Sequence, residues 1–178
     1  MKREVFEEIF KKYGIEDFKW ISSKNIKLSY WVRMKCMYGC PNYGKKPSCP
    51  PNSLTFSECE NFFNEYEEIV IFHFAKKFDK PEERHEWSRK LHLKLLKVER
   101  EVFLSGYVKA FLICLDSCKL CSECLKDREH CKNIKQVRPT PEALSVDVFS
   151  TVKSIGYPIN VLKDYTDEMN RYAFLLVE

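Results

Sequence analysis

The sequence predicts one domain of the α/β or α+β class, a mixed β-sheet with helices packed on it as a sandwich and two cysteine-rich loops projecting from it. Three observations carry this. Helical and strand periodicities alternate in the order α-β-β-α-β-α-β-α-β-β. No repeat, low-complexity tract or linker divides residues 1–178, a length that suits one core burying roughly 70% of its unfolded surface. Both cysteine groups follow predicted strand ends, where sites on such sheets gather.

The elements follow in chain order. Val5, Phe6, Ile9, Phe10 and Tyr13 fall at helical spacing and Gly14 stands where a left-handed cap belongs, which predicts a helix over 3–13. Residues 17–22 and 26–34 are rich in β-formers, the second with period two at Ile26, Leu28, Tyr30 and Val32, and read as paired strands. A short helix at 55–66 leads into a strand from Glu68 to Phe74. The longest helix runs from Pro81 to Gly106, with Trp87, Leu91, Leu95, Val98 and Val102 on one stripe, and a strand from Lys109 to Leu115 follows. Thr140-Pro141-Glu142 combines a capping oxygen, proline in the first turn and a carboxylate on the helix dipole. That helix is expected to end near Ile155, before Gly156 and Pro158, with closing strands at 158–163 and 171–177.

Composition excludes several classes. The net charge of +4 is dispersed, with no polybasic tail, and so does not imply nucleic acid. The apolar runs Ile69 to Phe72 and Ala110 to Leu115 are strand-sized and too short to span a bilayer. The start, MKREVFEEIF, has no apolar core of a secretory signal. Nine cysteines without an export signal then point to a reducing cytoplasm, and an odd number gathered in two loops reads as metal ligation rather than disulfides. Exposed iron–sulfur sites would suit an anaerobic host. No Ser-His-Asp order, Walker loop or Gly-x-Gly-x-x-Gly is present, and only five glycines leave little for a phosphate cradle.

The densest motif is Cys118-x₂-Cys121-x₂-Cys124-x₆-Cys131, four thiols in fourteen residues. Three thiols at successive two-residue spacings let one tight loop wrap several corners of a cluster, as in the bacterial-ferredoxin run that holds a cubane 4Fe–4S centre. A single zinc is usually gripped by two separated Cys-x₂-Cys knuckles instead. The second group, Cys36-x₃-Cys40-x₈-Cys49, lies among Gly39, Pro41, Gly44, Pro47 and Pro50-Pro51, which predicts thiols displayed from irregular backbone. Three cysteines leave one coordination position open: on a cubane, one iron would face water, substrate or a partner's ligand. On zinc, Cys59 or His73 could complete a tetrahedron.

The remaining candidates have plainer readings. Cys59 shares a helical face with Phe56, Phe62, Phe63 and Tyr66, and Cys114 ends an apolar strand; both read as small core residues. His73 reads as a half-buried strand residue, His85 and His92 as solvated or boundary positions, and His130 as a neighbour of Cys131 that four cysteines make unnecessary as a ligand. Lys119, Lys126, Lys132, Lys135 and Arg138 near one motif, and Arg33, Lys35, Lys45 and Lys46 near the other, would offset an anionic cluster, form a solvated face, or dock an acidic electron carrier.

Three blocks, VRMKCMYGCPNYGKKPSCPP, CKLCSEC with its following cysteine, and RPTPEALSVDVFSTVKSIGYPI, resemble an uncharacterised prokaryotic family of predicted metal-binding proteins, a cysteine-rich domain of unknown function common in anaerobes. The resemblance spans residues 31–160. It implies that Cys36, Cys40 and Cys49 form one ligand set and Cys118, Cys121, Cys124 and Cys131 the other, in metal-binding loops at 36–53 and 116–140. Cys59 and Cys114 match no motif position, and FLICLD is bulkier than the stretch expected before the second motif. The expectation is a cytoplasmic iron–sulfur protein with a four-cysteine 4Fe–4S cluster and a second, three-cysteine cluster with an open iron. It would act in electron transfer or an accessory redox step of anaerobic metabolism, with a redox partner protein or a small-molecule substrate. A catalytic open iron, a cluster carrier and a zinc-stabilised binding module are the alternatives.

Overall fold

The computed structural model describes residues 3–125 and 128–178. Its elements are α1 (Arg3–Lys12), β1 (Phe18–Ser22), α2 (Tyr30–Gly39), α3 (Phe56–Asn64), β2 (Glu68–Lys76), α4 (Glu83–Leu104), β3 (Phe111–Ile113), α5 (Val148–Ser154) and β4 (Met169–Leu176), with short 3₁₀ turns at Ser23–Asn25 and Glu142–Leu144. They form an α+β sandwich around a four-stranded sheet of order β1-β2-β4-β3. Every pairing is antiparallel, where a mixed sheet was expected. The reason lies in β4: strands β2 and β3 run the same way through the α4 crossover, but β4 inserts between them and opposes both.

Strand alternation divides the core into two layers. Val70 and Phe72 of β2 and Ala173 and Leu175 of β4 meet Phe6, Ile9 and Phe10 of α1 and Leu91, Leu95, Val98 and Val102 of α4. On the other face, Ile69, Ile71, Tyr172, Phe174 and Leu176 pack against Cys59 and Phe63 of α3 and Val148 and Val152 of α5. Helices α1, α3, α4 and α5 are therefore each placed by one apolar stripe. Among the described residues no helix is long and apolar enough to cross a membrane.

Three sequence expectations are corrected. Residues 26–34 do not form a strand: only Leu28 makes a bridge, to Val146, and the chain turns into α2 at Tyr30. The β-forming side chains misled here because α2 buries only Val32 and Arg33 and leaves Tyr30, Trp31, Met34, Met37 and Tyr38 exposed. The helix expected over 140–155 is split. Ser145 takes a left-handed conformation (φ 63°), Val146 pairs with Leu28, and α5 restarts after Asp147, whose carboxylate accepts the Ser150 amide at 3.0 Å. No strand forms at 158–163: the Pro158 carbonyl accepts the Tyr172 hydroxyl, and the Asp167 carboxylate folds the chain by accepting the amides of Lys163 and Asp164.

Candidate metal centre

The two cysteine loops meet at one end of the sheet. β3 delivers the chain to Cys114 and onward to the second motif, and the antiparallel register brings the start of β4, with Arg171, to that same end. The segment that closes the second loop is tied back by the Cys114 amide, which donates to the Pro139 carbonyl at 2.7 Å. Arg138, one residue earlier, grips the Glu99 carboxylate of α4 with Nε and Nη2 at 2.7–3.0 Å, and Glu99 Oε1 also accepts the Leu112 amide at 2.8 Å. His92 of α4, buried where a solvated or boundary position was expected, faces the Gln136 carbonyl across 3.0 Å. These contacts hold the second loop against α4 and β3.

The first loop has a different scaffold. Cys36 lies on α2, not in irregular backbone as the proline and glycine density suggested, and Cys40 caps that helix. Cys49 follows a turn in which Gly44, at φ 71°, donates its amide to the Pro50 carbonyl at 2.8 Å. That left-handed conformation favours a residue without Cβ. Arg33 braces the loop from α2 by donating to Ser53 Oγ at 3.2 Å and to the Leu54 carbonyl at 2.5 Å. It is a buried clamp rather than part of a solvated face, and its charge also favours the Cys36 thiolate.

Lys46 joins the loops. Only 9% exposed, it donates from Nζ to the Cys118 carbonyl at 2.6 Å and to Ser117 Oγ at 3.4 Å. A second contact runs from Cys124 Sγ to the Lys45 carbonyl at 3.9 Å. Motifs separated by about eighty residues of sequence thus share one surface.

All nine cysteines are free thiols, and burial sorts them. The seven motif cysteines are half-buried or exposed, whereas Cys59 and Cys114 are buried in the two core layers. Burial pushes the Cys114 thiol up to about 12. It also pushes Cys49 up to about 11, opposed by the Lys46 charge, and raises Cys36 with help from Cys40 and Glu142. Cys118 is raised by burial, while the Leu120 amide and Lys46 favour its thiolate. Cys121 accepts the Asn133 side-chain amide at 3.0 Å.

Cys36, Cys40 and Cys49 line one cavity of about 270 Å³, with Asp116, Thr140, Glu142 and Arg171 among its other walls. Neither Cys59 nor His73 reaches it. Cys59 points its thiol at the Leu54 carbonyl, 3.8 Å away, and His73 lies between Asp17 at 2.6 Å and Asn170 at 2.7 Å. The fourth ligand anticipated for zinc is therefore not supplied by either. Larger clefts of about 590 and 570 Å³ lie beside Cys121 with His85 and along α4 beside Arg138. Lys126 lies outside the described residues; Lys45, Lys132 and Lys135 are exposed, and Lys35 sits over the Trp31 ring. Sequence reasoning passed over Glu142, Asp116, Asn133 and Arg171. A lone arginine at the head of the apolar run RYAFLLV was the one available signal.

Among the described residues no three His, Cys, Asp or Glu side chains are already drawn to metal-ligand geometry. The donor set nevertheless fits a thiophilic metal: soft sulfur ligands, reduced, accessible, and mounted on loops that contact each other. The fold and site thus define an α+β protein with two thiol-rich loops converging at one end of an antiparallel sheet. A family model described as "Predicted metal-binding protein (DUF2284)" matches residues 19–177, and the chain belongs to this metal-binding family. Neither curated proteins nor solved structures yield a match.

Proposed function

We propose that this is an iron–sulfur protein in which Cys118, Cys121, Cys124 and Cys131 hold a 4Fe–4S cluster. Cys36, Cys40 and Cys49 hold a second cluster with one iron open to a ligand. The observation that carries the reading is the joining of the two loops through Lys46, which sets a four-thiol run of ferredoxin spacing beside a three-thiol cavity. A site with four protein ligands relays electrons, and a site with three leaves a position for substrate, so their adjacency suits electron transfer or an accessory redox step. An anaerobic cytoplasm and a redox partner protein complete the proposal.

The chain's own residues have defined tasks. The thiols lose their protons on ligation, and the loops close as metal binds, because binding and local folding are coupled. Asn133 donates to the Cys121 sulfur and Lys46 places positive charge beside Cys118, both of which favour the more reduced state of a bound cluster. When bound, such clusters supply one-electron chemistry and, at an open iron, a Lewis acid.

Anaerobic purification followed by iron, sulfide and zinc analysis with an absorption spectrum tests the proposal. A brown protein with about eight irons and eight sulfides supports two cubanes, and about four of each confines the cluster to the second motif. Colourless protein with zinc and no sulfide overturns the redox reading in favour of a zinc-stabilised binding module.

A further inference from the structure

The cavity beside the three-cysteine loop has a wall that metal ligation leaves unused. Arg171 lines it from near the start of strand β4, and its Nε is buried with no hydrogen-bond partner. Among the described residues its guanidinium enters no ion pair. The Glu142 carboxylate lines the same cavity, bears on the charge of Cys36, and likewise accepts no hydrogen bond from a described residue. Asp116 differs, being committed to the Ser88 hydroxyl at 3.1 Å and the Ser117 amide at 2.7 Å.

The Arg171 Nε–H is sealed off from the cavity, but it leaves this side chain, which lines the wall, with a guanidinium charge whose desolvation is uncompensated and which a partner anion would relieve. Its planar fork matches a carboxylate. The cavity of about 270 Å³, about nine water volumes at ~30 Å³ each, is shared with whatever the three thiols hold, which leaves room for a small organic acid at most and none for a nucleotide. Two carboxylates and three thiols in the walls disfavour a multiply charged anion, and the free Glu142 oxygens call for a donor on the ligand.

We propose that this cavity binds a small monocarboxylate carrying a hydroxyl or amino group, with its carboxylate on Arg171 and its donor toward Glu142. This deepens the proposed function and rests on it in one respect: the ligand would lie beside the metal held by Cys36, Cys40 and Cys49. Arg171 is the anchor and Glu142 selects for the donor.

The test is calorimetric binding of L-lactate, L-alanine and propionate, with inorganic phosphate as a fourth probe, to the anaerobically purified protein. Either lactate or alanine is expected to bind, the two arms separating hydroxy from amino acid, with propionate and phosphate roughly tenfold weaker or worse. Arg171→Met should weaken binding roughly 10–100-fold, the range for a hydrogen bond to a charged group, with metal and sulfide content unchanged. Arg171→Lys keeps the charge without the fork and should fall between, which guards against a variant that fails to fold. Glu142→Gln should bring lactate or alanine and propionate closer together. No binding of either donor acid, unchanged affinity in both Arg171 variants, or equal affinity for propionate overturns the assignment. The metal reading fails separately: Cys49→Ser would then leave metal content untouched, whatever the acids do.

Discussion

In the first cysteine loop the three motif thiols come from three kinds of backbone: a helix for Cys36, its cap for Cys40 and a turn for Cys49. Their shared cavity is finished by residues from the far side of the sequence, including Glu142 and Arg171. In the second loop four thiols lie within fourteen residues, and what the rest of the fold adds is attachment, through Arg138, His92 and Pro139. One ligand set is assembled by tertiary structure and the other by local chain. A locally complete set suits a cluster that only exchanges electrons, whereas a set opening onto a walled cavity suits a position that meets substrate.

The sharpest way to break this comparison is to remove one thiol from each loop. Cys121→Ser should abolish the metal of the second motif and leave that of the first, and Cys49→Ser the reverse, each lowering iron from about eight to about four per chain. Loss of all metal from either single variant would show one shared centre in place of two. As a control, Cys114→Ala should leave metal content unchanged, because Cys114 belongs to the core layer under α4.

The attachment of the second loop carries the next largest effect. The Glu99–Arg138 pair is largely buried, with the two side chains 8% and 20% exposed, and Glu99 also holds the Leu112 amide. Truncating one partner of a buried pair costs roughly 3–5 kcal/mol because the other charge stays behind unpaired. Arg138→Ala should therefore lower the unfolding free energy read from urea denaturation by that amount and expose the second loop to protease before the sheet unfolds. A loop equally protected in the variant would show that the motif is held by other contacts.

Lys46 tests the junction itself. Lys46→Met keeps most of the buried stem and removes the donor to the Cys118 carbonyl and Ser117 hydroxyl, a loss of roughly 1.5–3 kcal/mol. Because the lost charge lies beside Cys118, the reduction potential measured for the four-cysteine centre should also fall. An unmoved potential would separate the two loops electrically.

Legibility in the sequence followed the same division. The second motif and the seven motif cysteines stood out because their chemistry is written in linear spacing, and the apolar stripes of α1, α3 and α4 fixed those helices. The cavity walls were illegible because Arg171 and Glu142 join the cysteines only once β4 pairs beside β3, a register that no local pattern announces. Helix α2 was hidden for a different reason. Tyr30, Trp31 and Val32 favour strands, and a helix that buries just Val32 and Arg33 displays no stripe to contradict them. The break at Ser145 depends on the Leu28–Val146 bridge, which is likewise tertiary.

The smallest effect concerns pH and the seam between α4 and the second loop. His92 is buried against the Gln136 carbonyl, and burial lowers its pKa below the ordinary 6.5, with the Arg138 charge acting in the same direction and the Gln136 bond and Glu99 opposing. The folded protein thus binds fewer protons at this site than the unfolded chain. Its contribution to stability is complete above pH 6.5 and is lost as pH falls below that value toward the lowered folded pKa, with a limiting slope of about 1.4 kcal/mol per pH unit. Urea midpoints at pH 7.5 and 5.5 should diverge more for the native protein than for His92→Gln, which keeps a polar side chain and cannot titrate. Carboxylates and cysteines titrate in both proteins, so the difference between the two slopes isolates His92. Parallel slopes would mean that the imidazole is protonated in place, hydrogen-bonded as a cation to the Gln136 carbonyl, and that this seam is more open to water than its burial implies.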